Sequence, residues 1–161
     1  MSWDEKIDEL GIINMVKKIT LTTENYFMIV KVKSNRRDGE YFEFMFSRKG
    51  NENQKHHSGI RIMERGENII EETLFFLPRK TSKSYDKKVT NIKTGEILSE
   101  TKGILSLLIE EIGAKIHYST RWDPDKRKLY LEKISLEDLK NNEIKEYNLS
   151  KGELEISPSK K

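Results

Sequence analysis

The chain has 161 residues, of which 35% are charged and 35% hydrophobic, and its formal net charge at pH 7 is +3. It contains no cysteine and only three histidines, which excludes disulfide bonds, thiolate nucleophiles and cysteine-based zinc sites. A chain of this length folds most naturally as one domain with its own core, and a net charge this small does not by itself indicate an anionic partner.

The first segment is acidic and lacks the basic and apolar regions of a signal peptide, and no apolar run is long enough to cross a membrane. We therefore expect a soluble cytoplasmic protein that does not associate with membranes. Ser2 and Glu5 have the spacing of a helix capping box, and Ile7 and Leu10 follow at helical spacing. This pattern predicts an N-terminal helix over residues 2–10, whereas the segment that follows it fits both a helix and a strand.

From residue 26 onward the hydrophobic residues alternate with a period of two, which is typical of half-buried strands. Two such strands are joined by Asp38 and Gly39, a pair that favours a hairpin turn. A third strand follows, so residues 26–64 are predicted to form a hairpin-rich sheet. Three side chains of the second strand share one face and are expected to be core: Phe42, Phe44 and Phe46.

Helical spacing returns in three later segments. Residues 68–77 are predicted to form a helix that Pro78 ends, although four consecutive apolar residues make a strand the alternative. Residues 100–112 have an amphipathic helical pattern that stops at Gly113. A second hairpin is predicted over residues 114–134, and a short helix over residues 135–141.

Together these segments predict a single α+β domain over residues 1–147. Its antiparallel sheet would be built from hairpins, with helices packed on one side of the sheet. The polar, lysine-terminated tail over residues 148–161 is expected to be flexible. An exposed hairpin edge would also allow two copies to pair across a two-fold axis, so a homodimer is a further expectation.

Basic residues accompany aromatic residues in both predicted hairpins, and a basic linker over residues 79–88 separates them. Single-stranded nucleic acid is bound by grooves that combine cations for the phosphates with exposed aromatic rings for the bases. We therefore predict a non-enzymatic protein that binds nucleic acid, preferably single-stranded. The predicted contact residues are Lys31, Lys33, Arg36, Arg37, Tyr41, Arg79, Lys80, Lys83, Lys87, Lys88, Tyr118, Arg121, Trp122, Lys126, Arg127 and Lys128.

Several alternatives remain open at this point. Trp122 either contacts nucleic acid or caps one end of the sheet, and the basic linker either binds phosphates or is an ordinary solvated loop. The same aromatic and basic surface would also suit a small protein-interaction module, because protein interfaces are enriched in Tyr, Trp and Arg.

Enzymatic chemistry has little support in the sequence. The adjacent His56 and His57 have no third ligand nearby for a metal ion, and neither nucleotide-binding glycine motif occurs, so no metal and no cofactor is expected. A weak set of nuclease carboxylates includes Asp123, Asp125, Glu132 and the Glu143-Ile144-Lys145 triplet. Short acidic and basic matches of this kind arise by chance in a chain rich in Lys and Glu.

Overall fold

The structure is a computed structural model that describes residues 2–7, 13–51, 53, 55–77, 86–101, 113–149 and 153–159. Every regular element among these residues is a β-strand, so the predicted α+β class with helices on one side of the sheet is wrong. In chain order the strands are β1 Ser2–Ile7, β2 Ile13–Thr22, β3 Tyr26–Asn35, β4 Gly39–Arg48, β5 His56–Gly66, β6 Ile69–Leu77, β7 Asp86–Asn91, β8 Ile97–Thr101, β9 Ala114–Asp123, β10 Lys128–Asp138, β11 Glu143–Asn148 and β12 Glu155–Ile156.

The strands form two antiparallel sheets. The first sheet contains β1 to β8 in chain order, each paired with the next. In the second sheet β9 lies along one side of β10, while β11 and the short β12 pair with different parts of its other side. Short connections between sequential antiparallel strands explain this order, because each strand turns back beside the one before it.

The core lies between the two sheets. Inward side chains of β2 to β6 pack against those of β10 and β12 in one continuous hydrophobic cluster. Phe42, Phe44 and Phe46 are at most 2% exposed, which confirms their predicted place in the core. In β10 the register shifts between Leu131 and Lys133, so the inward positions change from odd to even numbers along that strand.

Two predicted helices are strands of the first sheet. The N-terminal helix over residues 2–10 is contradicted by β1, which pairs with the first half of β2. The helix over residues 68–77 is contradicted by β6, which lies between β5 and β7. Because β6 is buried on both faces, its apolar residues do not alternate, and a fully buried strand of this kind resembles a helix in sequence.

The two remaining helices also require correction or lie outside the described residues. Glu100 and Thr101 end β8, and the rest of the predicted helix over residues 100–112 falls outside the described residues. The helix predicted over residues 135–141 is contradicted by β10, which continues to Asp138 before a turn. Ser135 and Asp138 within that segment are buried strand residues.

The C-terminal segment is part of the folded body rather than a flexible tail, where it is described. Leu149, Leu154 and Ile156 are buried in the core. Beyond β12 the chain crosses to the first sheet, where the Ser159 amide donates a 2.9 Å hydrogen bond to the carbonyl of Ile62. Ser159 thereby occupies the edge of β5 that β4 leaves open, in a parallel bridge with Met63.

Candidate functional site

A row of cations lies on the outer face of the first sheet, the face turned away from the second sheet. Lys18 of β2 is directly opposite Lys31 of β3, and Lys33 follows two residues later on the same face. Arg36 and Arg37 continue the row into the turn between β3 and β4. We call these five residues the basic stripe.

The turn at the end of the basic stripe contains one acidic residue, Asp38, and its side chain is buried. Asp38 is 2% exposed, and its backbone amide donates a 2.6 Å hydrogen bond to the Asn35 side chain. The Asp38 carboxylate also lies 3.6 Å from the Arg61 guanidinium. Gly39 follows with a φ of 66°, a left-handed conformation that glycine adopts without strain. The turn therefore exposes the two arginines while its carboxylate stays neutralised inside.

The outer members of the basic stripe are available to a ligand. Lys33, Arg36 and Arg37 are exposed and form no ion pair within the part of the chain that the structure describes. Lys18 and Lys31 are half-buried, and Glu43 lies opposite Lys31 as the acidic neighbour of the stripe. Four of these five cations were predicted from the sequence. Lys18 was missed because the strand that carries it had an ambiguous pattern.

Tyr41 lies beside the stripe but does not offer its ring to a ligand. It is 6% exposed and meets Phe75 edge to face at a centroid distance of 5.6 Å. Burial, and next the negative charge of Glu43, raise the pKa of its hydroxyl. Its role is therefore to pack on the outer face of the sheet, over Gly59.

A crevice opens between the two sheets, on the side of β7, β8 and β9. This crevice has a volume of about 280 Å³ and contains three of the predicted contact residues: Lys87, Lys88 and Tyr118. Tyr118 is 39% exposed and its ring lies 6.1 Å from that of Phe44. The crevice also contains three carboxylates: Glu72, Asp86 and Glu100.

The electrostatics of the crevice oppose an anionic ligand. Loss of water around the hydroxyl, followed by the negative charges of Glu72, Asp86 and Glu100, raises the pKa of Tyr118. Glu72 accepts a 2.8 Å hydrogen bond from the Thr120 hydroxyl and lies 3.7 Å from the Lys88 ammonium. A phosphate would meet repulsion here, so the lysines of the crevice are poorer phosphate ligands than the basic stripe.

The cations of the second hairpin are largely engaged within the protein. Arg127 is paired with Glu64, and the Lys128 ammonium lies 2.5 Å from the Glu155 carboxylate. The guanidinium of Arg121 covers the ring of Tyr130 at 4.8 Å from its centroid. Such contacts lower the availability of a cation for an external phosphate, because the internal pair must first be broken.

Trp122 packs partly buried against the hydrophobic core, and with Ile92 it lines a small surface pocket. This placement fits the interpretation that it caps one end of the sheet. Lys126 is exposed in the β9–β10 turn and forms no ion pair within the described residues. Three predicted contact residues lie outside the described residues: Arg79, Lys80 and Lys83.

Asp123 and Glu143 of the weak nuclease set, and the third histidine, His117, have partners within the protein. Asp123 accepts hydrogen bonds from the amides of Asp125 and Lys126 in its turn, while Glu143 accepts one from the amide of Glu24 in a different region. The imidazole of His117 lies 3.3 Å from the Glu137 carboxylate. Within the described ranges, no group of three or more His, Asp or Glu side chains is placed to hold a metal ion.

Comparison with protein-family models, curated proteins and solved structures gives no match for this chain. Among the residues that the structure describes, no helix is long and apolar enough to cross a membrane.

Proposed function

We propose that this protein binds nucleic acid, preferably single-stranded, by placing phosphates along the basic stripe. The observation that supports this function is the turn in which Arg36 and Arg37 are exposed while the carboxylate of Asp38 is buried and neutralised. Arginine suits the task because its planar guanidinium binds phosphate oxygens in pairs and stays charged at every physiological pH.

Base contacts in this proposal come from Phe27 rather than from the predicted contact residues Tyr41, Tyr118 and Trp122. Phe27 is half-buried and occupies the same face of β3 as Lys31 and Lys33, because residues two apart along a strand share a face. A strand whose phosphates follow the lysines would bring bases toward this ring. Stacking of one base on an aromatic side chain contributes about 1–3 kcal/mol, which favours single strands over duplex.

The test is a salt titration of binding. Fluorescence anisotropy would follow a labelled single strand of about 20 nucleotides, with duplex as competitor, at several salt concentrations. The variant R36A/R37A removes two phosphate contacts, so the slope of log K against log salt should become shallower by about 1.4. The loss in affinity should be similar for different sequences, because phosphate contacts carry no base information.

A matched control is available at the other end of the molecule. Lys49 and Lys140 are exposed in the β4–β5 and β10–β11 turns, and K49A/K140A changes the net charge by the same amount. We expect this control to keep the salt slope of the wild type. Absence of binding at low salt, or equal effects of the two double variants, would overturn the proposal.

A further inference from the structure

The second sheet ends in a strand with an unusual pattern at its edge. β11 pairs with β10 alone in the described sheet and forms its outermost strand. Ile144 in this strand is 59% exposed, the highest value among the exposed large hydrophobic residues of the described chain. An exposed edge strand offers unpaired backbone groups to a second strand, and proteins usually protect such edges with charges.

The charges of β11 complement a second copy of the same strand. Two antiparallel strands related by a two-fold axis keep each side chain on its own face of the joined sheet. When Ile144 lies on the axis, it faces its own copy, while Glu143 faces Lys145 of the other chain on both sides. Opposite charges and paired apolar side chains directly across two strands each stabilise a sheet.

Neighbouring registers lack this complementarity. An axis at Lys145 places two lysines opposite each other, and an axis at Glu143 does the same with two glutamates. Like charges directly opposite destabilise strand pairing. The arrangement centred on Ile144 therefore avoids the repulsion that blocks both of these shifts, so the sequence favours one register over its neighbours.

In the first sheet, the end strand β8 is less suited to self-pairing than β11. β8 also exposes apolar side chains, Ile97 at 50% and Leu98 at 47%. However, the register between β7 and β8 shifts at this point, and such bulges interrupt the ladder that a further strand would extend. Within β8, a symmetric register about Ser99 pairs Glu100 with Leu98 and brings no opposite charges together.

We propose that the Glu143-Ile144-Lys145 triplet is a dimerisation element through which two copies of this chain join their second sheets, β11 to β11. The Glu143 and Lys145 side chains of one chain already lie 3.7 Å apart, so each copy presents a preformed charge pair to its partner. The sequence of this triplet also resembles a nuclease pattern, but its self-complementarity favours a role in strand pairing. This inference does not depend on nucleic-acid binding.

Charge exchange tests the register. Sedimentation velocity over a dilution series should show a monomer–dimer equilibrium for the wild type and its loss in K145E, where glutamates face each other across the interface. The double variant E143K/K145E restores opposite charges in the reversed order and should recover the dimer. K49E carries the same charge change in a distant turn and should dimerise like the wild type.

Disulfide trapping provides a second readout for a weak dimer. The chain has no native cysteine, so I144C introduces a single thiol. Directly opposite residues in antiparallel strands have Cα atoms about 4.5–5.5 Å apart, which falls within the disulfide range. Oxidation should join I144C rapidly and N148C slowly. A monomeric wild type at every concentration, failure of the double variant to recover the dimer, or equal trapping of the two cysteines would overturn the proposal.

Discussion

The Thr23 hydroxyl donates a 3.1 Å hydrogen bond to the Asp138 carboxylate and thereby joins the two sheets, although the residues are 115 positions apart. The same carboxylate oxygen accepts hydrogen bonds of 3.1 Å from the backbone and the side-chain amide of Asn25. Asp138 is 0% exposed. One buried carboxylate thus holds the β2–β3 turn against the end of β10.

Asp138 should make the fold sensitive to acid. Burial raises the pKa of its carboxyl group, but the hydrogen bonds from Asn25 and Thr23 outweigh this effect and bring the pKa below its ordinary value. Because the folded-state pKa is lowered, the ionised carboxylate stabilises the fold at any pH above its unfolded-state pKa of about 3.9. This stabilisation is lost as the pH falls through the folded-state pKa. Denaturant unfolding of wild type and D138N between about pH 2 and 7 would show it.

The variant D138N should be less stable at neutral pH, by about 1–3 kcal/mol, because an amide accepts these hydrogen bonds less well than a carboxylate. Its stability should also depend less on pH below about 4. Parallel pH curves for the two proteins would contradict the assignment of the acid sensitivity to Asp138.

Gly59 should be intolerant of even one added methyl group. A Cβ atom at this position would lie 2.8 Å from a ring atom of Phe75 and 3.0 Å from one of Tyr41. Both rings are buried, so they have little room to move. We expect G59A to lose about 1–3 kcal/mol of unfolding free energy through overpacking.

A control for this variant lies in the same strand. A Cβ atom at Gly66 would meet nothing within 4 Å, and Gly66 is not among the glycines with positive φ. G66A should therefore change the unfolding free energy by less than G59A in the same urea titration. Equal stability of G59A and the wild type would mean that the outer face over β5 is loosely packed.

Trp122 should contribute to stability rather than to binding. Its ring is partly buried against the core, so truncation leaves an unfilled space. We expect W122A to lose about 2–3 kcal/mol of unfolding free energy, and W122F to retain most of it. Neither variant should change the salt slope of nucleic-acid binding, and a shallower slope in W122A would place the ligand near this end of the sheet.

The alternation of hydrophobic residues revealed β3 and β4 because each strand has one face in the core and one less buried face. The alternation did not reveal β6 as a strand, because both of its faces are covered. Ile70 and Leu74 are buried on one face, and Glu71 and Phe75 on the other. Its near-continuous burial removes the period-two signal, and the remaining apolar spacing happens to match a helix.

Only part of the candidate site was predictable from the sequence, because part of it depends on contacts between distant strands. Sequence reasoning identified Lys31 and Arg36 from local clustering, but it gave no sign that Lys18 lies opposite Lys31, because that relationship depends on the register between β2 and β3. Nor did it predict that carboxylates from β6, β7 and β8 surround Tyr118. Contacts between distant strands decide whether a basic or aromatic residue is available, and local patterns do not contain that information.

Tyr118 should titrate at unusually high pH. Loss of water, and then the charges of Glu72, Asp86 and Glu100, raise the pKa of its hydroxyl above the ordinary value of about 10. The difference between the alkaline absorbance titrations of wild type and Y118F isolates this group. Because its folded-state pKa is raised, the protonated hydroxyl of Tyr118 stabilises the fold. This contribution is complete below about pH 10 and is lost as the pH rises further. Circular dichroism must therefore check at each pH that the protein is still folded.

Neutralising one crevice carboxylate provides the control. E100Q removes a negative charge near the hydroxyl, so the pKa of Tyr118 should move back toward its ordinary value. The movement should be partial, because loss of water is the larger cause and remains in the variant. A Tyr118 signal at the ordinary value in the wild type would mean that its hydroxyl is hydrated, and the crevice would then no longer be expected to repel phosphate.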